Sequence, residues 1–213
     1  MTLPVNDIES AYAWRRLAVS FILLTIGGAG MFAVIVAMPV IELEFGSNRS
    51  QASLPYSMIM LGWAAGAIAM GRLYDSFGIQ LPVLIGAVGF GAGFVLSSYA
   101  TSMWMFAACH GLLIGLLGNS SLFAPLLTDI SAWFDRRRGI AIAMVASGQY
   151  VAGALWPPII NSAIDNVGWR ATYFGIGVFC VITMVPLSFM LRRRLNIANV
   201  SNGGPVDEAA FSL

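Results

Sequence analysis

The chain has 213 residues, of which 58% are hydrophobic and only 10% carry charged side chains. An ordinary soluble domain has roughly 45–50% and about 25% of such residues, so water is not the main solvent of this protein. All eleven basic residues are arginine, and the net charge of +1 gives no reason to expect nucleic acid as a partner.

Six apolar stretches follow one another along the chain. Each is long enough to cross a bilayer, because about 20 apolar residues span the hydrocarbon core. They are Leu17–Ile41, Ser53–Met70, Leu81–Tyr99, Met103–Ile130, Gly139–Ser162 and Ala171–Leu191. None shows the alternation of apolar and polar residues that marks a membrane β-strand. The predicted fold is therefore all-α, a polytopic membrane protein with a six-helix transmembrane bundle at residues 17–191.

The segments that flank the bundle, residues 1–16 and residues 192–213, are predicted to be cytoplasmic, and the second is predicted to be disordered. The first apolar run is too long for the h-region of a cleaved signal peptide, so we expect it to stay as an anchor. Orientation follows from the arginine bias of short loops. Only Arg49 and Arg170 fall on one side, whereas the other side holds Arg15, Arg16, Arg72, Arg136, Arg137, Arg138, Arg192, Arg193 and Arg194. This bias predicts that both termini face the cytoplasm, with the bundle in the plasma (inner) membrane.

Glycines and cysteines within the apolar stretches indicate how these helices pack. Glycine pairs of the GxxxG type let helices approach closely, and they occur at Gly62/Gly66, Gly89/Gly93 and Gly111/Gly115. Gly27, Gly28 and Gly30 do not form a dinucleotide fingerprint because no strand precedes them, and they are interpreted as a flexible or close-packed part of the first span. Cys109 and Cys180 are predicted to be buried free thiols.

A short pattern occurs twice, ninety residues apart. Asp75-Ser-Phe-Gly78 follows the second predicted span, and Asp165-Asn-Val-Gly168 follows the fifth. With three spans in each unit, the two copies fall on opposite faces of the membrane. Inverted repeats of this kind are typical of secondary transporters, in which two related units exchange roles as the site opens to either side.

The segment Gly71-Arg-Leu-Tyr-Asp75-Ser-Phe-Gly78 resembles the loop signature of the major facilitator superfamily, in which Gly-x-Leu-x-Asp precedes Arg-x-Gly and further basic residues. The stretch from Trp133 to Gly148, followed by Gly168-Trp169-Arg170, is similar to the fourth-to-sixth helix region of the monocarboxylate and oxalate/formate branch. The resemblance implies twelve helices in two six-helix bundles, with the substrate between them. This chain then corresponds to the amino-terminal half, and the missing carboxy-terminal six-helix bundle is an expected partner.

The same resemblance implies a cytoplasmic gate motif at Gly71, Leu73, Asp75 and Gly78. In the family the matching aspartate meets the positive amino-terminal end of a helix from the other bundle, which holds the outward-facing state closed inside. The alternative is that Asp75 is a solvated loop residue that caps the third helix. Ser76, Ile79 and Gln80 stand where the family usually has basic residues. This chain therefore departs from the charge relay that the family associates with this loop.

Further charges near this face are candidates for the gate or for topology. Asp129, at the end of the fourth span, is expected to pair with Arg72 or Arg138. The cluster Arg136, Arg137 and Arg138 has an ordinary explanation in topology and anionic lipid headgroups. The resemblance adds only that this loop could join the gate.

Polar residues inside the spans are candidates for lining a central cavity. His110, Ser121 and Thr128 share one stripe of an ideal α-helix, and an ionisable residue within a membrane suggests function. The alternative for His110 is a neutral side chain hydrogen-bonded to a neighbouring helix. Gln149 and Tyr150 are further candidates, beside Trp156, which is either a cavity residue or an interfacial anchor where the helix breaks at Pro157-Pro158.

These features predict a secondary active transporter of small solutes, with organic anions such as monocarboxylates as the substrate class and a proton or a counter-anion as the coupled species. No arginine falls within the predicted spans, so no anion-binding cation is assigned. The sequence offers no catalytic constellation, metal site or cofactor motif, so no enzyme activity is expected. The alternative is a truncated membrane protein that only assembles with a partner half.

Overall fold

The computed structural model describes residues 8–192, except for the side chains of residues 49 and 50. Over this range all regular secondary structure is helical, which confirms the all-α prediction. Five helices are long and apolar enough to cross a membrane: α1 (Ala11–Phe45), α2 (Leu54–Phe77), α3 (Gln80–Ser98), α4 (Met103–Trp133) and α5 (Arg138–Met190). One turn of helix, Arg49–Ala52, precedes α2. The predicted tail falls almost entirely outside the described residues.

The ends of α1 follow from its local sequence. The side chain of Ser10 accepts a hydrogen bond from the backbone N–H of Ala13 (3.3 Å), so the helix begins six residues before the first predicted span. The helix continues through Gly28, which keeps helical angles. Gly46 ends it in the left-handed conformation, at φ 58° and ψ 30°.

Helix α5 is folded back on itself at Gly168. That glycine has φ 81° and ψ 159°, which is not helical, and it divides α5 into a first limb, 138–167, and a second limb, 169–190. The rings of Trp156 and Phe179 are only 5.9 Å apart, whereas 23 residues of straight helix would separate them by about 35 Å. The alternative in which the helix breaks at Pro157-Pro158 is wrong, because both prolines lie inside the first limb.

Glycines set the closest helix contacts. Helix α1 packs in parallel against the first limb of α5, with Gly28 against Ala152. Helix α2 packs in parallel against α4, where a Cβ on Gly115 would lie 2.6 Å from the carbonyl oxygen of Ile59. The GxxxG pairs are therefore helix contacts, as predicted. Cys109 and Cys180 are both free thiols, the first half-buried and the second buried.

The two Asp-x-x-Gly turns share one backbone conformation. Gly78 has φ 75° and ψ −175°, close to the angles of Gly168. This region is essentially restricted to glycine, because a Cβ would clash with the neighbouring backbone. Both turns thus use their glycine for the same chain reversal.

The middle of α4, Cys109–Asn119, is a π-helix. Its i→i+5 hydrogen bonds give a different rotation per residue from that of an α-helix. The single α-helical stripe predicted for His110, Ser121 and Thr128 is therefore wrong, since His110 and the chain up to Asn119 lie in this segment, and Thr128 is exposed whereas the other two are buried.

Candidate functional site

Two adjacent polar residues, Gln149 and Tyr150, lie partway along the first limb of α5, and we call them the polar face. Tyr150 is 81% exposed, and twelve residues of helix place it about 18 Å from the start of the limb. The amide of its neighbour Gln149 contacts the sulfur of Met31 on α1 (3.9 Å). Both residues thus lie near the middle of the limb rather than at either end.

Beside this face, α1 and the first limb share hydrogen bonds. Trp156 donates its indole N–H to the carbonyl of Thr25 (2.7 Å), and the hydroxyl of Thr25 donates to the carbonyls of Phe21 (2.9 Å) and Gly148 (3.2 Å). Trp156 is therefore a fixed contact between two helices. These bonds hold the polar face on a rigid support.

The principal charge pair within the helices is Arg16 with Asp129. Arg16 donates from Nε to Oδ2 of Asp129 (2.6 Å) and from Nη2 to Oδ1 (2.8 Å), and the two residues are 2% and 5% exposed. The guanidinium also lies 4.8 Å from the ring centroid of Trp133. The expected pairing of Asp129 with Arg72 or Arg138 is wrong, because α1 begins early enough to bring Arg16 into the bundle. Arg16 is accordingly not a loop charge.

A second charge pair lies at the opposite end of the bundle. Arg170 donates to Glu44 (2.7 Å) and to the carbonyls of Ser98 (2.7 Å) and Ala100 (2.9 Å) at the end of α3, and the indole N–H of Trp169 also donates to Glu44. The side chains of Glu44 and Arg170 are 38% and 41% exposed, so solvent weakens this pair. Glu44 also borders a cavity of about 380 Å³.

His110 lies in the interior of the bundle. It is fully buried, and its Nδ1 donates to the carbonyl of Phe106 (2.8 Å) with the hydroxyl of Ser97 3.3 Å away. The ring of Tyr173 on the second limb of α5 is 5.8 Å from the imidazole. Ser121 is also fully buried and donates to the carbonyl of Leu117. The polar face at Tyr150 includes neither residue.

The residues of the gate motif lie at the end of α2. Asp75 is exposed and is still within the helix, and Leu73 is half-buried. The residue at the N-cap position of α3 is Ile79, without a side-chain cap, so the alternative that Asp75 caps that helix is wrong. Gly71 has open space where a Cβ would be. Arg72, Arg136, Arg137 and Arg138 are exposed.

Two residues with prominent polar contacts are not predicted by the sequence. Arg16 falls in a predicted flanking segment, although the Ser10 cap extends the helix to include it. The pairing of Glu44 depends on α1, α3 and α5 meeting at one end. No local sequence pattern carries that information.

The fold and these sites define a polytopic helical bundle of the integral membrane class, with a buried Arg16–Asp129 pair and two polar residues midway along the first limb of α5. A family model of the Major Facilitator Superfamily matches residues 20–210. The chain belongs to this superfamily, which confirms the family predicted from the Gly71–Gly78 segment.

Three relatives indicate how the match is distributed. The MFS-type transporter pynF of Aspergillus niger is 28% identical over 194 residues, which cover 90% of this chain and 44% of that protein. The Fujikurins efflux protein of Gibberella fujikuroi is 29% identical over 175 residues, which cover 78% of this chain and 37% of that protein. Monocarboxylate transporter 11 of Homo sapiens is 23% identical over 190 residues, which cover 86% of this chain and 40% of that protein. The chain spans less than half the length of these relatives.

Proposed function

We propose that the chain is the amino-terminal half of a secondary active transporter that moves small organic anions, such as monocarboxylates, by alternating access. The carrying observation is the exposed Tyr150 beside Gln149, midway along a helix limb that would cross the membrane. Polar side chains at this depth face a cavity or a second bundle rather than lipid. A carboxy-terminal six-helix bundle would complete the cavity, and the coverage of less than half of each of the three relatives named above supports such a partner.

The two limbs of α5 would each cross the membrane, giving six spans in two inverted three-helix units. The shared angles of Gly78 and Gly168 support this arrangement. Two parallel contacts give further support, that of α1 with the first limb of α5 and that of α2 with α4. In two related three-helix units α1 corresponds to α4, and α2 corresponds to the first limb of α5, so each contact is the equivalent of the other. The arginine distribution supports a location in the plasma (inner) membrane with both termini in the cytoplasm.

The substrate class rests on the resemblance and on the name of one relative, the human monocarboxylate transporter. Uptake of labelled lactate into proteoliposomes that contain the complete protein tests it, with either an imposed proton gradient or an internal carboxylate to separate symport from exchange. Tyr150→Ala should raise KM if this face contacts substrate. Tyr99→Ala is the matched control, since Tyr99 is exposed at the end of α3. Equal KM values for the two variants would contradict a substrate contact at Tyr150.

We propose that Asp75 is the cytoplasmic gate carboxylate of this transporter. Its exposure at the end of α2 leaves it free to meet the amino-terminal end of a helix in the second bundle, an interaction of up to about 2 kcal/mol. Asp75→Asn should then slow transport by as much as about 30-fold without changing membrane insertion. Asp135→Asn, an exposed carboxylate at the same end, should keep the normal rate. An unchanged initial rate for Asp75→Asn would rule out the gate.

The alternative, a membrane protein that only assembles with a partner half, predicts no flux with any carboxylate under either gradient. A complete reading frame that encodes six further spans would favour the transporter.

A further inference from the structure

Three segments of the chain are tied together at one end of the bundle, where α1 begins. Glu9 donates its backbone N–H to the carbonyl of Trp133 (3.1 Å), and its carboxylate accepts from the backbone N–H of Arg137 (2.7 Å). Tyr12 donates its hydroxyl to the carbonyl of Met190 at the end of α5 (3.0 Å). The start of α1, the α4–α5 loop and the end of α5 therefore form one surface.

This surface concentrates positive charge. Each of the three segments contributes exposed guanidinium groups, from Arg15, Arg136, Arg137 and Arg192. Among the described residues none of the four forms an ion pair. Of the nearby acids, Asp129 is paired with Arg16 and one carboxylate oxygen of Glu9 accepts the loop N–H, which leaves the exposed Asp135 beside four arginines. We call these four arginines the arginine site.

Aromatic side chains mark the depth of the arginine site. Trp14 packs edge-on against Phe134 with ring centroids 5.2 Å apart, and Tyr12 packs against Trp133 at the same separation. Tryptophan and tyrosine concentrate where the hydrocarbon core meets the headgroups. With the bundle in a bilayer, the half-buried rings of Tyr12 and Trp14 would place the exposed guanidiniums of the arginine site at headgroup level.

We propose that the arginine site binds the phosphate of an anionic phospholipid headgroup. Guanidinium groups match phosphate oxygens in pairs of hydrogen bonds, and the backbone bonds of Glu9 and Tyr12 gather the arginines before the lipid arrives. The level of the site favours a lipid phosphate over a soluble one. A bound lipid would join the first and last helices of the bundle.

The test is a titration of the purified full chain in an uncharged detergent with phosphatidylglycerol, phosphatidylcholine or inorganic phosphate. Thermal unfolding reports stabilisation, and native mass spectrometry counts bound lipid. The test variant is Arg136→Gln/Arg137→Gln, which keeps the backbone bond to Glu9. The matched control is Arg72→Gln, an exposed arginine at the same end whose neighbour three residues on is Asp75.

We expect phosphatidylglycerol to bind with defined stoichiometry and to stabilise the protein, and phosphatidylcholine not to. Each arginine near a membrane surface contributes about five-fold in affinity, so the double variant should bind about 25-fold more weakly, and Arg72→Gln should bind normally. All proteins should unfold at the same temperature without lipid. Equal binding of phosphatidylcholine, equal stabilisation by inorganic phosphate, or normal binding by the double variant would each overturn the proposal.

Discussion

Removing one member of the Arg16–Asp129 pair should destabilise the bundle strongly. Asp129→Asn keeps the size of the side chain but removes the carboxylate charge that faces a guanidinium only 2% exposed. The neutral hydroxyl of Tyr12, 3.3 Å from Nη1, and the ring of Trp133 remain, yet neither carries the negative charge. Breaking a buried pair in this way costs about 3–5 kcal/mol.

Replacing both members should cost far less. Arg16→Met with Asp129→Leu removes both buried charges and leaves apolar side chains of similar volume. Such replacements in other proteins are neutral or stabilising by about 1–4 kcal/mol. The double variant should therefore be more stable than Asp129→Asn. If the losses of the two single changes added, it would be less stable.

Unfolding of the purified protein by sodium dodecyl sulfate in mixed micelles, followed by tryptophan fluorescence, measures these differences. Asp135→Asn is the control, because Asp135 is exposed in the adjoining loop and should change the free energy of unfolding by less than about 0.5 kcal/mol. If Asp129→Asn loses no more than this control, the pair is hydrated and the argument from burial fails.

Other variants test the packing, the outer ion pair and the turns. Gly115→Ala should destabilise the bundle, because its Cβ would meet backbone atoms of α2. Gly175→Ala places its Cβ in open space and should raise the free energy of unfolding by up to about 1 kcal/mol in the same assay. Equal effects of the two variants would contradict the close approach at Gly115. Glu44→Gln should cost only about 1 kcal/mol or less, since its arginine pair is partly exposed, and a loss as large as that of Asp129→Asn would contradict this exposure. Gly78→Ala and Gly168→Ala should each cost about 1–3 kcal/mol, because their backbone angles are restricted to glycine, and wild-type unfolding curves would contradict those angles.

The helical fold and its family were predictable from local features. Long uncharged runs admit only helices or closed barrels in lipid, and the absence of alternation left helices. The two Asp-x-x-Gly turns were predictable as a pair. Both adopt backbone angles that only glycine tolerates, so glycine occurs at the same position of each copy. The glycine pairs correctly indicated close contact, although the sequence does not name the helices that meet.

The errors arose where the outcome depends on distant parts of the chain. Asp129 was expected to pair with an arginine nearby in sequence or across a short loop, but its partner is 113 residues away. His110 was placed on a stripe calculated for an α-helix, and the π-helical segment changed that geometry. The alternative of a break at the two prolines is wrong, because both lie inside the first limb of α5 and the chain reverses at Gly168, the last residue of the predicted Asp165–Gly168 turn.

The sequence alone determined the solvent of this protein, its helical content and its superfamily, because hydrophobicity and short motifs are properties of neighbouring residues. Only the tertiary structure decided which charges are neutralised and which polar groups remain exposed. Each side chain of a helix points in one direction, so the packing of whole helices decides which group lies opposite a charge. A buried charge without a partner costs much free energy, so the stability of the bundle depends on that packing.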